Sequence, residues 1–91
     1  MAVPYPVVKQ AVDEWDPLDL LTFCPEDEYD EESLRLAAAI DAWMRPATVA
    51  RLIQDLFVHA FGPTVFTQSL EACAVVANRI LRDTAAAAAD S

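Results

Sequence analysis

The sequence predicts an all-α protein, a compact bundle of about four short helices joined by brief connections. Glycine occurs once in 91 residues, whereas hairpin turns, phosphate-binding loops and the corners of small barrels all need more of it. Hydrophobic residues make up 55% of the chain, and many recur at the three- and four-residue spacing of one helix face. We expect residues 1–91 to form a single domain, because a chain of this length supports only one small core.

The first helix is predicted to begin near Tyr5 or Pro6, because proline fits a first turn, where its missing N–H costs nothing. It should end at Asp16-Pro17, because the residue before a proline is displaced from the helical region. We expect Asp16 to cap a short turn that follows. The apolar face of this helix consists of Val7, Val8, Ala11, Val12 and Trp15.

The second helix is predicted to start within an acidic stretch, with Asp27 or Asp30 as its N-cap. The carboxylates of this stretch complement the positive end of the helix dipole. The helix should continue to about Met44, and Pro46 should interrupt it. Its expected inner face consists of Leu36, Ala37, Ile40, Trp43 and Met44.

The third helix is predicted over about residues 47–61. Gly62-Pro63 should close it, because glycine tolerates a positive φ and proline cannot continue a helix. Its expected inner residues are Val49, Leu52, Ile53, Leu56, Phe57 and Ala60.

The fourth helix is predicted to begin near Thr64 or Thr67 and to run to about Asp83. The alanine-rich tail, residues 84–91, should prolong this helix and fray at its end. The expected inner residues are Leu70, Cys73, Ala77, Ile80 and Leu81.

The negative charge of the protein lies in its first half. Residues 1–41 hold eleven acidic side chains and two basic ones, whereas residues 42–91 hold four of each, so the net charge is −9. Nucleic acids and anionic membranes attract clustered lysine and arginine, so we expect neither as a direct partner. The asymmetry favours a basic protein partner, whose association should depend on salt.

The cysteine content and the N-terminal residues favour a cytoplasmic protein. Two cysteines, Cys24 and Cys73, do not constitute the disulfide framework of a small secreted domain. The first residues lack the basic and apolar regions of a secretion signal, and no apolar run approaches the length of a membrane span. We expect both thiols to be reduced and to act as small core residues.

One pair of side chains has a spacing that suits acid–base chemistry. Asp55 and His59 lie four residues apart on the third helix, but no serine or cysteine motif accompanies them, so a surface pair is the simpler interpretation. One histidine and two scattered cysteines fall short of a zinc site, and the acidic stretch lacks the glycine of a calcium loop. We therefore expect no catalytic residue, no metal site and no cofactor.

The aromatic side chains leave two interpretations open. Some of them could reach the surface as anchors of an interface, or all of them could pack inside the bundle. The side chains concerned are Trp15, Phe23, Tyr29, Trp43, Phe57, Phe61 and Phe66.

Two short motifs, Trp-Asp-Pro-Leu at residues 15–18 and Asp-Glu-Tyr-Asp at residues 27–30, resemble those of a family of small, uncharacterised bacterial helical proteins. In that family a Trp-Asp-Pro-hydrophobic turn precedes an acidic segment that opens the next helix. The similarity extends over about residues 7–82. The family is a domain of unknown function, so the resemblance implies a helical fold and supplies no activity.

These observations support a non-enzymatic protein-binding module as the first hypothesis. By analogy of size and charge, it is an acidic immunity or inhibitor-type protein that occludes a basic partner enzyme, such as a toxin. The predicted partner contacts are Asp13, Glu14, Trp15, Asp19, Glu26, Asp27, Glu28, Tyr29, Glu31 and Glu32.

Two alternatives stay open at this point. One is an accessory subunit or homodimer whose interface lies on the third and fourth helices, around Phe57, Phe61 and Phe66. The other, weaker alternative is a small enzyme that uses Asp55 and His59.

Overall fold

The prediction of an all-α fold is confirmed. A computed structural model describes residues 3–17 and 29–89. These residues form four helices and, within the two ranges, no strand. The helices are α1 (Tyr5–Trp15), α2 (Asp30–Ala39), α3 (Pro46–Phe61) and α4 (Leu70–Ala89).

The helices enclose one core. Helix α1 packs against α2 and α4, and α3 packs against the same two helices, so α1 and α3 occupy opposite sides of the bundle. The buried hydrophobic residues come from all four helices and from the segments between them. They are Val3, Val8, Ala11, Val12, Tyr29, Leu36, Ile40, Val49, Ala50, Ile53, Phe57, Phe66, Cys73, Val76, Ala77 and Ile80.

Helix α1 begins and ends where the sequence predicts. Pro6 lies in its first turn, and Asp16 follows its last residue. Asp16 adopts a left-handed conformation with φ +44°, and its N–H donates to the Val12 carbonyl at 2.8 Å. In the structure Asp16 is therefore the C-cap of α1. The short turn that we expected it to cap falls largely outside the described residues.

Helix α2 begins within the predicted range but ends earlier than predicted. Asp30 is its first residue rather than its N-cap, and Tyr29 in the N-cap position makes no side-chain capping hydrogen bond. The second candidate cap, Asp27, lies outside the described residues. At the other end the helix stops at Ala39 rather than near Met44.

A contact between distant segments explains the early end of α2. The Ile40 carbonyl accepts a hydrogen bond from the Val3 N–H at 3.4 Å, and the Met44 N–H turns to the Asp41 carbonyl at 3.0 Å. Ile40 is accordingly extended, with ψ 130°. Because the helix has ended, Trp43 is 75% exposed, and the prediction that it belongs to the core is wrong.

Helix α3 matches its predicted bounds within one residue. Pro46 occupies its first turn, so this proline starts α3 rather than breaking a continuing α2. Gly62 closes the helix with φ +88° and donates its N–H to the Val58 carbonyl at 2.7 Å. Ala60 is exposed rather than inside.

Residues 62–69 form a longer connection than predicted, and α4 begins later than Thr64 or Thr67. Phe66 stacks on Phe57 of α3, with ring centroids 5.3 Å apart. The first turns of α3 and α4 then lie side by side, where Ala50 and Ala74 line a common cavity. The connection therefore returns along α3 before α4 starts.

The start and the tail of α4 follow local rules. The Ser69 Oγ accepts a hydrogen bond from the Ala72 N–H at 3.1 Å, which is the contact of an N-cap serine. Cys73, Ala77 and Ile80 are buried, as predicted. The helix continues through the alanine run to Ala89, whose exposed residues prolong it beyond the core.

An aromatic cluster occupies the centre of the bundle. The Phe57 ring is fully buried and lies within 6.2 Å of four other rings, those of Trp15, Tyr29, Phe61 and Phe66. The interpretation that all of the aromatic side chains pack inside is therefore wrong, because Trp43 is at the surface although this cluster is internal. Phe23 lies outside the described residues.

We predict that Phe57→Leu lowers the free energy of unfolding by about 1.5 kcal/mol or more, because each aromatic pair contributes about 0.5–1.5 kcal/mol beyond its buried area. Trp43→Leu should change it by less than about 0.5 kcal/mol, as exposed substitutions usually do. Urea unfolding of both variants measures the difference. Equal losses in the two variants would contradict the described burial of these rings.

Candidate acidic binding surface

The structure places six of the ten predicted contact residues. The other four, Asp19, Glu26, Asp27 and Glu28, lie outside the described residues. The six are Asp13, Glu14, Trp15, Tyr29, Glu31 and Glu32. They lie on α1, at the entry to α2 and on its first turn.

Tyr29 lies inside the fold rather than on a contact surface. Its side chain is fully buried, and its ring meets those of Phe57 and Phe61 edge to face. Its hydroxyl donates a hydrogen bond to the Asp16 Oδ1 at 2.6 Å. This geometry meets the expectation that a buried tyrosine finds a polar partner, and it leaves no part of Tyr29 for another protein to touch.

Trp15 is half-buried at the end of α1. Its ring packs edge to face against Phe57 and Phe66, with centroids 5.8 and 5.9 Å away. Most of its contacts are therefore internal, and only part of the ring is available at the surface.

Lys9 joins α1 to the first residue of α2. Its Nζ lies 2.8 Å from the Asp13 carboxylate and 2.6 Å from that of Asp30. Hydrogen bonds to Asp13 and then to Asp30 raise the pKa of the Lys9 ammonium above its ordinary value. Burial, followed by the charge of Asp30, raises the pKa of the nearby Tyr5 hydroxyl.

Arg79 joins α4 to the last turn of α1. It pairs with Glu14 through its terminal nitrogen and with Asp83 through its Nε, the latter at 3.4 Å. The hydrogen bond that Arg79 donates to the Glu14 carboxylate raises the pKa of the Arg79 guanidinium. Glu14 remains 54% exposed despite this pair.

The first turn of α2 carries the most exposed carboxylate of the described acidic residues on this side. Glu31 pairs with Arg35 one turn later at 2.5 Å and is 72% exposed. Glu32 is half-buried and forms no ion pair with any other residue that the structure describes.

Carboxylates outnumber the cations on this part of the surface. Lys9 is shared by Asp13 and Asp30, so that cluster keeps a net negative charge. The Arg79 cluster is neutral, because Asp83 pairs with Arg82 as well as with Arg79. We call Asp13, Glu14, Asp30, Glu31 and Glu32 the acidic face. It connects α1 to the first turn of α2 and stays negative although most of its members are paired.

Asp55 and His59 line an open groove between α2 and α3. The groove has a volume of about 310 Å³, and both side chains are exposed. No ion pair joins them. Among the described residues, its lining consists of Arg35, Leu36, Ala39, Leu52, Asp55, Leu56 and His59, which include no serine, threonine or cysteine.

The remaining candidate groups offer little chemistry. Cys73 is buried, and burial raises the pKa of its thiol, so it remains protonated and unreactive. Within residues 3–17 and 29–89, no three histidine, cysteine, aspartate or glutamate side chains come together as metal ligands do. Over the same ranges, no helix has the length and apolar character that a membrane span requires.

Two surface features have no clear signal in the sequence. Trp43 is exposed because α2 ends early, and that end depends on a residue near the N-terminus. The groove exists because α2 presents the small Ala39 to α3, which leaves Leu52 and Leu56 half-covered. The Ala37–Ala39 run is visible in the sequence, but it does not reveal which helix lies opposite.

These features define a small all-helical domain with an acidic face. The chain belongs to the family described as a domain of unknown function, DUF1871, whose model matches residues 7–88. This match confirms the resemblance to a domain of unknown function over nearly the same residues. The description of the family names no enzymatic activity. No curated protein and no solved structure gives a significant match.

We predict that the hydrogen bond between Tyr29 and Asp16 contributes about 1.5–3 kcal/mol, the range of hydrogen bonds to charged groups. A double-mutant cycle with Tyr29→Phe and Asp16→Gly measures it, since glycine suits the positive φ at residue 16. Tyr29→Phe should lower the free energy of unfolding less in the Asp16→Gly background than in the original chain. Equal costs in both backgrounds would show that the two side chains are not coupled.

We predict that the free energy of unfolding falls at alkaline pH as Lys9 loses its proton. The folded chain holds the Lys9 proton more tightly than the unfolded chain does. The contribution of Lys9 to the free energy of unfolding is therefore complete below the ordinary pKa of 10.5 and is lost as the pH rises further. Lys9→Arg keeps the positive charge and does not titrate in this range.

Urea unfolding at a series of pH values on both sides of the ordinary lysine pKa, from about 9 to about 11.5, measures this loss of stability. Deprotonation of Tyr5 and Cys73 lowers the free energy of unfolding in both proteins, because the folded state raises their pKa values too. The difference between the two slopes of unfolding free energy against pH therefore isolates Lys9. A Lys9→Arg slope as steep as that of the original chain would refute the assignment.

Proposed function

We propose that this protein is a non-enzymatic binding module whose acidic face docks on a basic protein. In this proposal it acts as an immunity or inhibitor-type protein and occludes a basic partner enzyme. The observation that carries the proposal is the confinement of charge: eleven of the fifteen acidic residues lie in residues 1–41. Of its described members, Asp13, Glu14, Asp30, Glu31 and Glu32 lie on the adjoining helices α1 and α2, and Asp16 and Asp41 follow the ends of these helices.

The ion pairs of the acidic face support docking by electrostatic complementarity. Lys9 and Arg79 hold carboxylates in place, so part of the entropy of ordering these side chains is lost before any partner binds. The surplus of carboxylates leaves acceptors for arginine and lysine of a partner. A basic enzyme uses such residues to hold an anionic substrate, and their engagement by the acidic face blocks that substrate.

A catalytic role for Asp55 and His59 receives less support. A nucleophilic mechanism needs a hydroxyl or thiol within hydrogen-bonding reach of the histidine, and the described groove lining supplies none. Both side chains are exposed, whereas acid–base groups are commonly tuned by burial or by a neighbouring charge. The groove suits binding better than catalysis.

The alternative of a homodimer or accessory subunit loses the interface that we predicted for it. Phe57 and Phe66 are buried within the chain, with 0% and 2% exposure, and Phe61 is half-buried against Phe57. These rings cover one another, so they leave no aromatic patch that a second subunit must cover.

We predict that Glu31→Lys with Glu32→Lys weakens binding to the basic partner about tenfold or more and flattens its dependence on salt. The matched control is Glu71→Lys with Asp90→Lys, which changes the net charge equally but lies at the start of α4 and near the C-terminus. Circular dichroism checks that each variant keeps its helices.

The measurement has two stages. Affinity capture from lysate with a salt-ramp elution yields the partner, and titration calorimetry then compares the purified partner with the original chain and both variants. Capture of a basic protein that loses affinity only for the Glu31/Glu32 variant supports the proposal. A partner that is not basic, or one that binds both variants equally, refutes it.

A further inference from the structure

The groove between α2 and α3 is an uncovered apolar feature of the described surface. Leu36, Ala39, Leu52 and Leu56 form its floor and walls, and it opens to solvent along one side. Leu52 and Leu56 are half-buried and Ala39 is exposed, so apolar atoms that adjoin the core remain in contact with water. A volume of about 310 Å³ is at the lower end of the range for ligand sites.

The mouth of the groove carries one carboxylate that is not neutralised. Arg35 is already paired with Glu31 at 2.5 Å. Asp55 is exposed on the opposite wall and has no ion pair with any residue of the described ranges. An incoming group with a positive charge is therefore favoured beside Asp55, and the net charge of −9 favours the same sign at long range.

A cavity between the first turns of α3 and α4 differs in this respect. Arg51 and Glu71 both line it. Arg51 forms no ion pair with any residue of the described ranges, whereas Arg35 at the α2–α3 groove is already paired with Glu31. The mouth of this cavity therefore presents an unpaired cation beside a carboxylate, and it selects no charge in a partner.

We infer that the α2–α3 groove receives the apolar side chains of an amphipathic basic helix from the partner, while Asp55 pairs with a lysine or arginine beside them. This inference rests on the proposed function and names the element of the basic partner that is bound. The walls have the spacing of helix ridges: Arg35 and Ala39 are one turn apart, as are Leu52 and Leu56. A helix presents apolar residues at the same three- and four-residue spacing, which is how amphipathic helices dock in grooves.

The probe for this inference is a synthetic amphipathic helix of about 15 residues, the length at which isolated helices become stable in water. It carries leucine on one face and lysine on the other. A second peptide with glutamate in place of lysine is the charge control. Titration of the isotopically labelled full chain, followed by amide chemical shifts, gives both the affinity and the site.

Two pairs of variants make the test specific. Ala39→Phe fills the groove, whereas Ala38→Phe adds the same ring to the neighbouring exposed residue, which does not line it. Asp55→Asn removes the carboxylate at the mouth, whereas Glu71→Gln removes an equal charge at the other cavity.

We expect the lysine peptide to shift resonances of residues 35–39 and 52–59. Ala39→Phe should raise its dissociation constant about tenfold, the loss expected when an apolar anchor is excluded, and Asp55→Asn about threefold, as for a single exposed charge pair. Ala38→Phe and Glu71→Gln should bind like the original chain. The inference is overturned if Ala39→Phe and Ala38→Phe bind the peptide equally, or if the glutamate peptide binds as tightly as the lysine peptide.

The same variants separate this inference from the proposed function. If the Ala39→Phe variant still captures the basic partner and the variant with Glu31→Lys and Glu32→Lys does not, the result supports the acidic face and rejects the groove. Specific peptide binding in the groove, together with capture that does not depend on Glu31 and Glu32, supports the groove and rejects the acidic face.

Discussion

The packing of the Phe57 ring organises the rest of the fold. Among the described side chains, Phe57 contacts rings from α1, from the entry to α2, from its own helix and from the connection that precedes α4. A chain of 91 residues buries a small share of its surface compared with larger domains, so a few large side chains must supply most of the apolar contact. Phe57 therefore joins α1, the entry to α2 and the connection before α4 to α3, whereas the buried residues of α4 itself are not aromatic.

Polar contacts then fix the orientation of α1, which carries Asp13 and Glu14 of the acidic face. The Tyr29 hydroxyl holds the end of α1, Lys9 holds its middle against α2, and Arg79 holds its last turn against α4. The same side chains therefore serve two purposes. They join the helices, and they hold carboxylates at the surface in an arrangement that a partner meets already formed.

The parts of the fold that could be predicted are those that depend on neighbouring residues. Proline and glycine residues mark the ends of α1 and α3, so the bounds of these two helices follow from the sequence within one residue. The start of α4 has a local cap, Ser69, which the sequence does not distinguish from Thr64 and Thr67. The end of α2, in contrast, depends on a hydrogen bond between Val3 and Ile40. Such contacts join residues far apart in the chain, and spacing along one helix carries no information about them.

The same division applies to the candidate site. The location of the acidic charge is a property of the sequence and was predictable, whereas the partners of that charge are not: Arg79 is distant in the chain from Glu14 but adjacent in space. The two tryptophans show a further consequence of tertiary structure. Trp15 lies among aromatic rings, but Trp43 is 75% exposed to water in the folded state. The native fluorescence therefore combines a shielded indole with a hydrated one, and Trp15 carries most of the spectral change on unfolding.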